Sequence, residues 1–224
     1  MTFSIVAKCA KTGQFGIAAA TAMPAVGKLL THAFTRVGAI ATQARLNPYI
    51  GIDGLDLLRQ GLSADEVVER LKDLDPRADL RQFAIVDVSG GRAAWTGSGC
   101  PDWAGHHLDD GFTVQGNRLA GPHVLRAAAE TFKQMADSPL DKRLVEALTA
   151  GDQAGGDTKG ERSATVYVVD TEEYPLWDIR VDEHERPVEE LKRLHNVFSR
   201  DLPPQIRKMP TRANPAGEHG EDIA

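Results

Sequence analysis

Thr2, at the second position, is the first residue of this sequence whose type and place could do chemistry. Methionine ahead of a small second residue is normally removed, which leaves the threonine with both a hydroxyl and a free α-amine. A threonine hydroxyl is a poor nucleophile at neutral pH and needs a group to take its proton. A terminal amine, with an ordinary pKa of about 7.7 to 8.0, can do so directly or through water. The plainer alternative is that Thr2 simply opens an edge strand. A second group is Cys100-Pro-Asp-Trp-Ala-Gly-His106-His107. Cysteine and histidine make a thiolate nucleophile where the ring reaches the sulfur, and Gly97, Gly99 and Gly105 allow tight turns. The alternative is a loop in which Trp103 packs and the histidines face solvent. Asp102 also sets a carboxylate near the sulfur, which raises a thiol pKa, so Thr2 is the expected nucleophile. His106 and His107 precede Asp109 and Asp110, but adjacent histidines point in different directions and the spacing matches no standard motif; no metal is expected. Gln43, Asn47 and Asn117 offer carboxamides to a substrate amide, or hydrogen bonds to turns and strands.

Positioning such groups needs a core, and 224 residues suffice for one large domain but not for two ordinary domains and a linker. With 42% hydrophobic and 26% charged residues and a net charge of -6, the chain lacks the basic excess that neutralises phosphates, so nucleic acid is not an expected partner. No apolar run approaches the roughly 18 residues of a membrane helix, and the N-terminal segment lacks the features of a secretory leader. The expected location is cytoplasmic, with no membrane partner. Cys9 and Cys100 stand far apart without a CxxC neighbour, which supports neither a disulfide framework nor a cysteine zinc site. No cofactor is expected.

Alternation over residues 2–7, a turn at 10–14 and an extended run over 15–21 predict a β-hairpin beginning at Thr2. Residues 37–44 predict a third strand whose small side chains let another layer approach closely. A short helix holding Leu55, Leu57 and Leu58 ends at Gly61, and Ser63-Ala-Asp-Glu66 is a capping box for a second. Strands follow at 83–87, 92–96 and 111–115, and helices start near Pro122 and Pro139. Strands at 163–169 and 176–181 precede a last amphipathic helix over 187–198. Strands and helices that come in groups predict α+β layering, with two antiparallel sheets between helix pairs. The Pro-rich segment 202–224 reads as a polar tail or arm after a domain spanning 1–201. It is too poor in apolar residues to fold alone, so a homo-oligomer is expected to hold it.

The segments Thr2-Phe-Ser-Ile-Val-Ala7, Thr12-Gly13, Ala25-Val26-Gly27, Gly38-Ala-Ile-Ala-Thr-Gln43, Asn47-Pro48 and Gly54-Leu55 resemble the family called domain of unknown function 1028. So do Trp103-Ala-Gly-His106, Gln115-Gly-Asn117, Gly155-Gly-Asp157 and Ser163-Ala164, and the resemblance extends over about 2–198. It implies membership of the N-terminal-nucleophile (Ntn) hydrolase superfamily, with the proteasome β subunits, and a four-layer αββα sandwich. It further implies that Gln115-Gly116-Asn117 forms a glycine turn beside the nucleophile, with a backbone amide or Asn117 as oxyanion donor, and that Asp157 and Ser163 polarise the terminal amine. Gly155-Gly156-Asp157 alone reads equally as an ordinary turn. The proteasome pattern places an aspartate in the second strand and a lysine on the third, where this sequence carries Ile17 and Thr42-Gln43; Lys28 and Arg36 lie nearby but out of register. The functional expectation is an amidohydrolase acting on a small-molecule amide or peptide-like substrate, with Thr2, Asn117, Asp157 and Ser163 as its machinery. Gln43, Asn47, Gly116, Cys100, Trp103 and His106 are the expected substrate contacts. The rival is a non-catalytic binding protein that keeps the pocket without the proton path.

Overall fold

A computed structural model describes residues 2–218; Met1 and the end of the expected tail, 219–224, lie outside the described residues. The chain opens with the expected hairpin, β1 (Thr2–Lys8) and β2 (Phe15–Thr21), turned through Gly13 at a φ of 77°. Alternation sorts the side chains of β1. Phe3, Ile5 and Ala7 face one core, while Val6 faces another with Ile17 and Ala19 of β2.

The second sheet is built from β3 (Thr31–Phe34), β4 (Gly38–Ala44), β5 (Arg81–Asp87) and β6 (Arg92–Thr96), in that spatial order. The first sheet is completed by β7 (Gly105–Asp109), β8 (Phe112–Asn117), β9 (Ser163–Val169) and β10 (Pro175–Val181), ordered β10-β9-β2-β1-β8-β7. All pairings between these strands are antiparallel. Ala19, Ala39, Ala41 and Ala84 are fully buried between the sheets, and their small side chains let the layers approach closely.

Helices α1 (Tyr49–Arg59) and α2 (Ala64–Leu74) cover the four-stranded sheet, burying Leu55, Leu58, Val67 and Leu71 against Ile40, Phe83 and Ile85. Helix α2 starts on the predicted capping box, with Ser63 N donating to Glu66 Oε2 at 2.8 Å. Helices α3 (Pro122–Gln134), α4 (Leu140–Gln153) and α5 (Pro187–Ile206) cover the six-stranded sheet. The layers are therefore α, β, β, α, with three helices rather than a pair on one side.

Helix α5 runs past the expected boundary at residue 202 and includes Pro203 and Pro204. Prolines there forgo bonds to the carbonyls of Ser199 and Arg200, and both residues are exposed, so water can serve those carbonyls. After the helix the chain folds back on its own β9–β10 connection. Tyr174 Oη donates to Pro210 O at 3.0 Å and Arg212 pairs with Glu173. This intramolecular anchorage removes the reason for invoking a second copy to hold the described part of the tail.

Candidate active site

Antiparallel register, set by the first hairpin, decides what stands beside Thr2. It pairs Thr2 with Thr21 of β2 on one side and with Asn117 of β8 on the other, and Thr21 in turn pairs with Ser163 of β9. Partner residues point to the same face. Asn117, Thr2, Thr21 and Ser163 thus form a polar row across one end of the sheet, on the side facing the second sheet. Strand β1 is interior to the six-stranded sheet, so the edge-strand alternative for Thr2 does not hold. Thr2 is 7% exposed, and its Oγ1 lies 3.1 Å from Thr21 Oγ1.

Above this row the second sheet contributes carboxamides. Gln43 Nε2 donates to Thr2 O at 3.3 Å and to Gln82 Oε1 at 2.8 Å, while Gln43 Oε1 accepts from Ser4 Oγ at 2.6 Å. Gln82 Nε2 donates to Gly116 O, Gly105 O and Thr96 Oγ1 at 2.8, 3.0 and 3.0 Å, and Gln82 Oε1 accepts from Asn117 Nδ2 at 2.9 Å. Gln115 Nε2 donates to Ser4 Oγ at 2.6 Å. This network ties the sheets together at one end, and Gln43, Gln82, Gln115 and Asn117 are all buried. Three buried side-chain atoms meet no partner among the described residues: Thr113 Oγ1, Gln115 Oε1 and Asn117 Oδ1.

Asp157 and Ser163 engage the loop after β2 rather than Thr2. Asp157 Oδ2 accepts from Ala22 N at 3.2 Å, and its Oδ1 accepts from Lys159 N at 2.9 Å. Ser163 Oγ accepts from Val26 N at 3.0 Å and donates to Met23 O at 2.6 Å. Both residues pin the chain that leaves Thr21. Behind them, Asp157 N donates to Glu161 Oε1 at 2.7 Å. Burial pushes the Glu161 carboxyl up to about 7, with the nearby Asp152 carboxyl adding to the rise.

Gly116 is the middle residue of the last three of β8, paired with Phe3 and Gly105 on its two sides, so the segment is ladder rather than turn. The turn comes later, at Arg118, whose φ is 54°. A Cβ at Gly116 would run into Leu119 and stand 3.0 Å from Phe3 Cβ, which is why this position has no side chain.

The remaining expected contacts fall elsewhere. Asn47 accepts Thr42 Oγ1 on its carbonyl at 3.2 Å and donates from Nδ2 to Asp75 Oδ2 at 2.9 Å, beside the Asp75–Arg81 pair on the helix side of the second sheet. Cys100 Sγ donates to Arg81 O at 3.3 Å, while His106 Nδ1 meets Thr96 Oγ1 at 2.9 Å, so each is committed to a different partner. Burial pushes the Cys100 thiol above its ordinary pKa, and Asp79 adds to the shift; burial lowers that of His106. Trp103 and His106 line an open groove of about 480 Å³ with Pro122, Leu125 and Arg126. Arg36, at a φ of 59°, bonds Thr171 O, and Lys28 is exposed. Among the described residues no group of three or more metal-ligating side chains comes together.

Thr21 and Gln82 are among the participants not singled out from sequence. Thr21 follows from the hairpin once the turn at 10–14 is fixed, because that turn sets the pairing of 2 with 21. Gln82 is a polar residue on a face whose neighbours in the strand are Ala84 and Val86, a pattern readable only after the strand is extended back to residue 81.

The family model described as "Family of unknown function (DUF1028)" matches residues 2–191. The chain belongs to this family. A solved DUF1028 structure, protein SPO2555 from Silicibacter pomeroyi, is 30% identical over 100% of this chain and 97% of that one, with a TM-score of 0.90. The ancestral β-subunit Anbu from Yersinia bercovieri is 11% identical over 88% of this chain and 97% of that chain, at a TM-score of 0.40. A search of curated proteins gave no match. Among the described residues of this DUF1028 chain, no helix is long and apolar enough to cross a membrane.

Proposed function

We propose that this DUF1028 protein is an N-terminal-nucleophile amidohydrolase in which processed Thr2 attacks a small amide or peptide-like bond. The observation that carries the reading is the placement of Thr2: its hydroxyl faces the inter-sheet end, 3.1 Å from Thr21 Oγ1, inside a row of polar residues in an αββα sandwich. Among the described residues the side chain that meets Thr2 Oγ1 is the Thr21 hydroxyl, so the base in this scheme is its own α-amine, freed by removal of Met1.

The steps balance without a further reagent. Oγ1 gives its proton to the amine and bonds to the substrate carbonyl carbon, whose π electrons move to oxygen. The tetrahedral adduct expels the amine leaving group, which takes the proton back from the ammonium. Water then attacks the ester, gives a proton to the amine, and the C–O bond to Thr2 breaks as the hydroxyl is restored. Asn117 Nδ2 and the Gly116 amide, the expected oxyanion donors, are occupied by Gln82 and by the strand ladder respectively. The Thr21 hydroxyl, 3.1 Å from Thr2 Oγ1, is the proposed donor beside the reacting oxygen.

The burial of Thr2 and the neutrality of the surrounding carboxamides favour the second reading, a binding pocket without turnover. The exposed Leu29, Tyr49 and Ile52 support self-association through this face, and the proposed site of action is the cytoplasm. Incubation of the protein carrying Thr2 as first residue with a broad amide and ester library decides between the two. Hydrolysis by the wild type and none by Thr2→Ala supports the hydrolase; ligand retention without product supports the binding protein.

A further inference from the structure

Hydrogen-bond chemistry fixes the direction of the carboxamides in the inter-sheet network. A backbone carbonyl only accepts, so the end of Gln82 that lies 2.8 Å from Gly116 O and 3.0 Å from Gly105 O is its nitrogen. The opposite end is then Oε1, and the two groups that reach it, Asn117 Nδ2 at 2.9 Å and Gln43 Nε2 at 2.8 Å, have to be donors. Gln43 agrees from its other contacts, because the same nitrogen faces two carbonyls, Thr2 O at 3.3 Å and Gln115 O at 3.4 Å. With Nδ2 committed to Gln82, the free end of Asn117 is an acceptor. Asn117 is fully buried, and its Oδ1 meets no donor among the described residues. A buried acceptor without a donor is costly.

Register brings Thr2 beside this orphaned acceptor. The partner of Asn117 on β1 is Thr2, at the roughly 4.5–5.5 Å Cα separation of antiparallel partners. The other orphaned atoms on this face of β8 lie further from the α-nitrogen of Thr2, Gln115 pairing with Ser4 and Thr113 with Val6. We propose that Asn117 Oδ1 seats the α-amine of processed Thr2, and that Gln82 is the positioning residue that holds the Asn117 carboxamide in this sense. The assignment rests on the reading of Thr2 as a processed terminal nucleophile. It reverses the expected role of Asn117, since an oxygen turned toward the site accepts from an amine and cannot stabilise an oxyanion. One ammonium hydrogen goes to Asn117, which orients the nitrogen and leaves the others for exchange with the Thr2 hydroxyl and the leaving group.

The test titrates the α-amine by ¹⁵N NMR in full-length protein produced with Thr2 as its first residue. An acceptor bonded to an ammonium favours the charged form. Asn117→Leu and Gln82→Met are expected to lower the amine pKa by about one unit, and Asn117→Asp to raise it. An amine pKa unmoved by both Asn117 substitutions overturns the proposal. A Gln82→Met protein that melts earlier but keeps the wild-type amine pKa removes Gln82 as a positioning residue; if that variant does not fold, the Asn117 pair still decides the seat of the amine. Shifted pKa values without any turnover or adduct at Thr2 would leave this assignment standing and sink the hydrolase reading, whereas turnover with unshifted values would do the reverse.

Discussion

Thr2 Oγ1 and Thr21 Oγ1 lie 3.1 Å apart on paired strands, so each hydroxyl constrains the rotamer of the other. Thr21→Val keeps the shape of the side chain and removes that bond. The expected loss of stability is about 1 kcal/mol, the net worth of one neutral hydrogen bond. Turnover is expected to fall by about 10²-fold if Thr21 also donates to the oxyanion. Chemical denaturation and initial rates on the same protein measure the two effects.

Gly116→Ala should be destabilised by about 1–3 kcal/mol, because the added methyl meets Leu119 and Phe3 in a filled core. Thermal melts of the variant and wild type test this, and an unchanged midpoint would mean that β8 can shift away from β1.

Much of this arrangement is legible in the sequence. The first hairpin, the capping box at Ser63, the Pro-initiated helices and the small residues facing between the sheets follow from periodicity and turn chemistry. Two strands escape such reading. Thr31–Phe34 is only four residues long, and Gly105–Asp109 carries Gly-His-His-Leu-Asp at the edge of its sheet, without the β-branched alternation that marks a strand. The polar network is also hidden, because Gln43 and Gln82, partners on β4 and β5, reach Gln115 of β8 only when the two sheets stack. Ser163 belongs to the row and Asp157 bonds Ala22 N just past Thr21, but the identity of their partners depends on the path of residues 22–26, which local pattern does not fix.

Glu161 introduces a pH dependence. Its carboxyl is raised from 4.5 to about 7 in the folded protein, chiefly by burial, and the Asp152 carboxyl is raised in the same direction. The folded state therefore binds more protons than the unfolded state between these values, and stability from this group declines as pH rises from about 4.5 to about 7, then levels off. Arg186, Glu185, Glu189 and Lys192 line the same cavity, where Arg186 lowers and Glu189 raises the Asp152 carboxyl. Urea unfolding at pH 5 and pH 8 should show a smaller decline in Glu161→Gln than in wild type; equal declines would mean that Glu161 ionises freely.

Cys100→Ala is expected to retain most of any hydrolytic activity, because burial raises the thiol pKa and the sulfur bonds Arg81 O rather than an imidazole. Slow alkylation of wild-type Cys100 at pH 7 would accompany this result. A dead Cys100→Ala protein beside an active Thr2→Ala protein would replace the threonine mechanism by a cysteine one.

Whether Thr2 is the nucleophile is read directly by peptide mass spectrometry after treatment of the Thr2-first protein with a β-lactone, a strained ester that acylates an activated hydroxyl. An adduct is expected on the N-terminal peptide, and hydroxylamine should release it, as an ester at Thr2 Oγ1 requires. The adduct should persist in Thr2→Ser and be absent from Thr2→Ala and from protein that retains Met1, whose Thr2 nitrogen is acylated and cannot act as a base. An adduct on Cys100 with Thr2 unmodified, or equal labelling with and without Met1, would contradict the assignment of Thr2 as an N-terminal nucleophile.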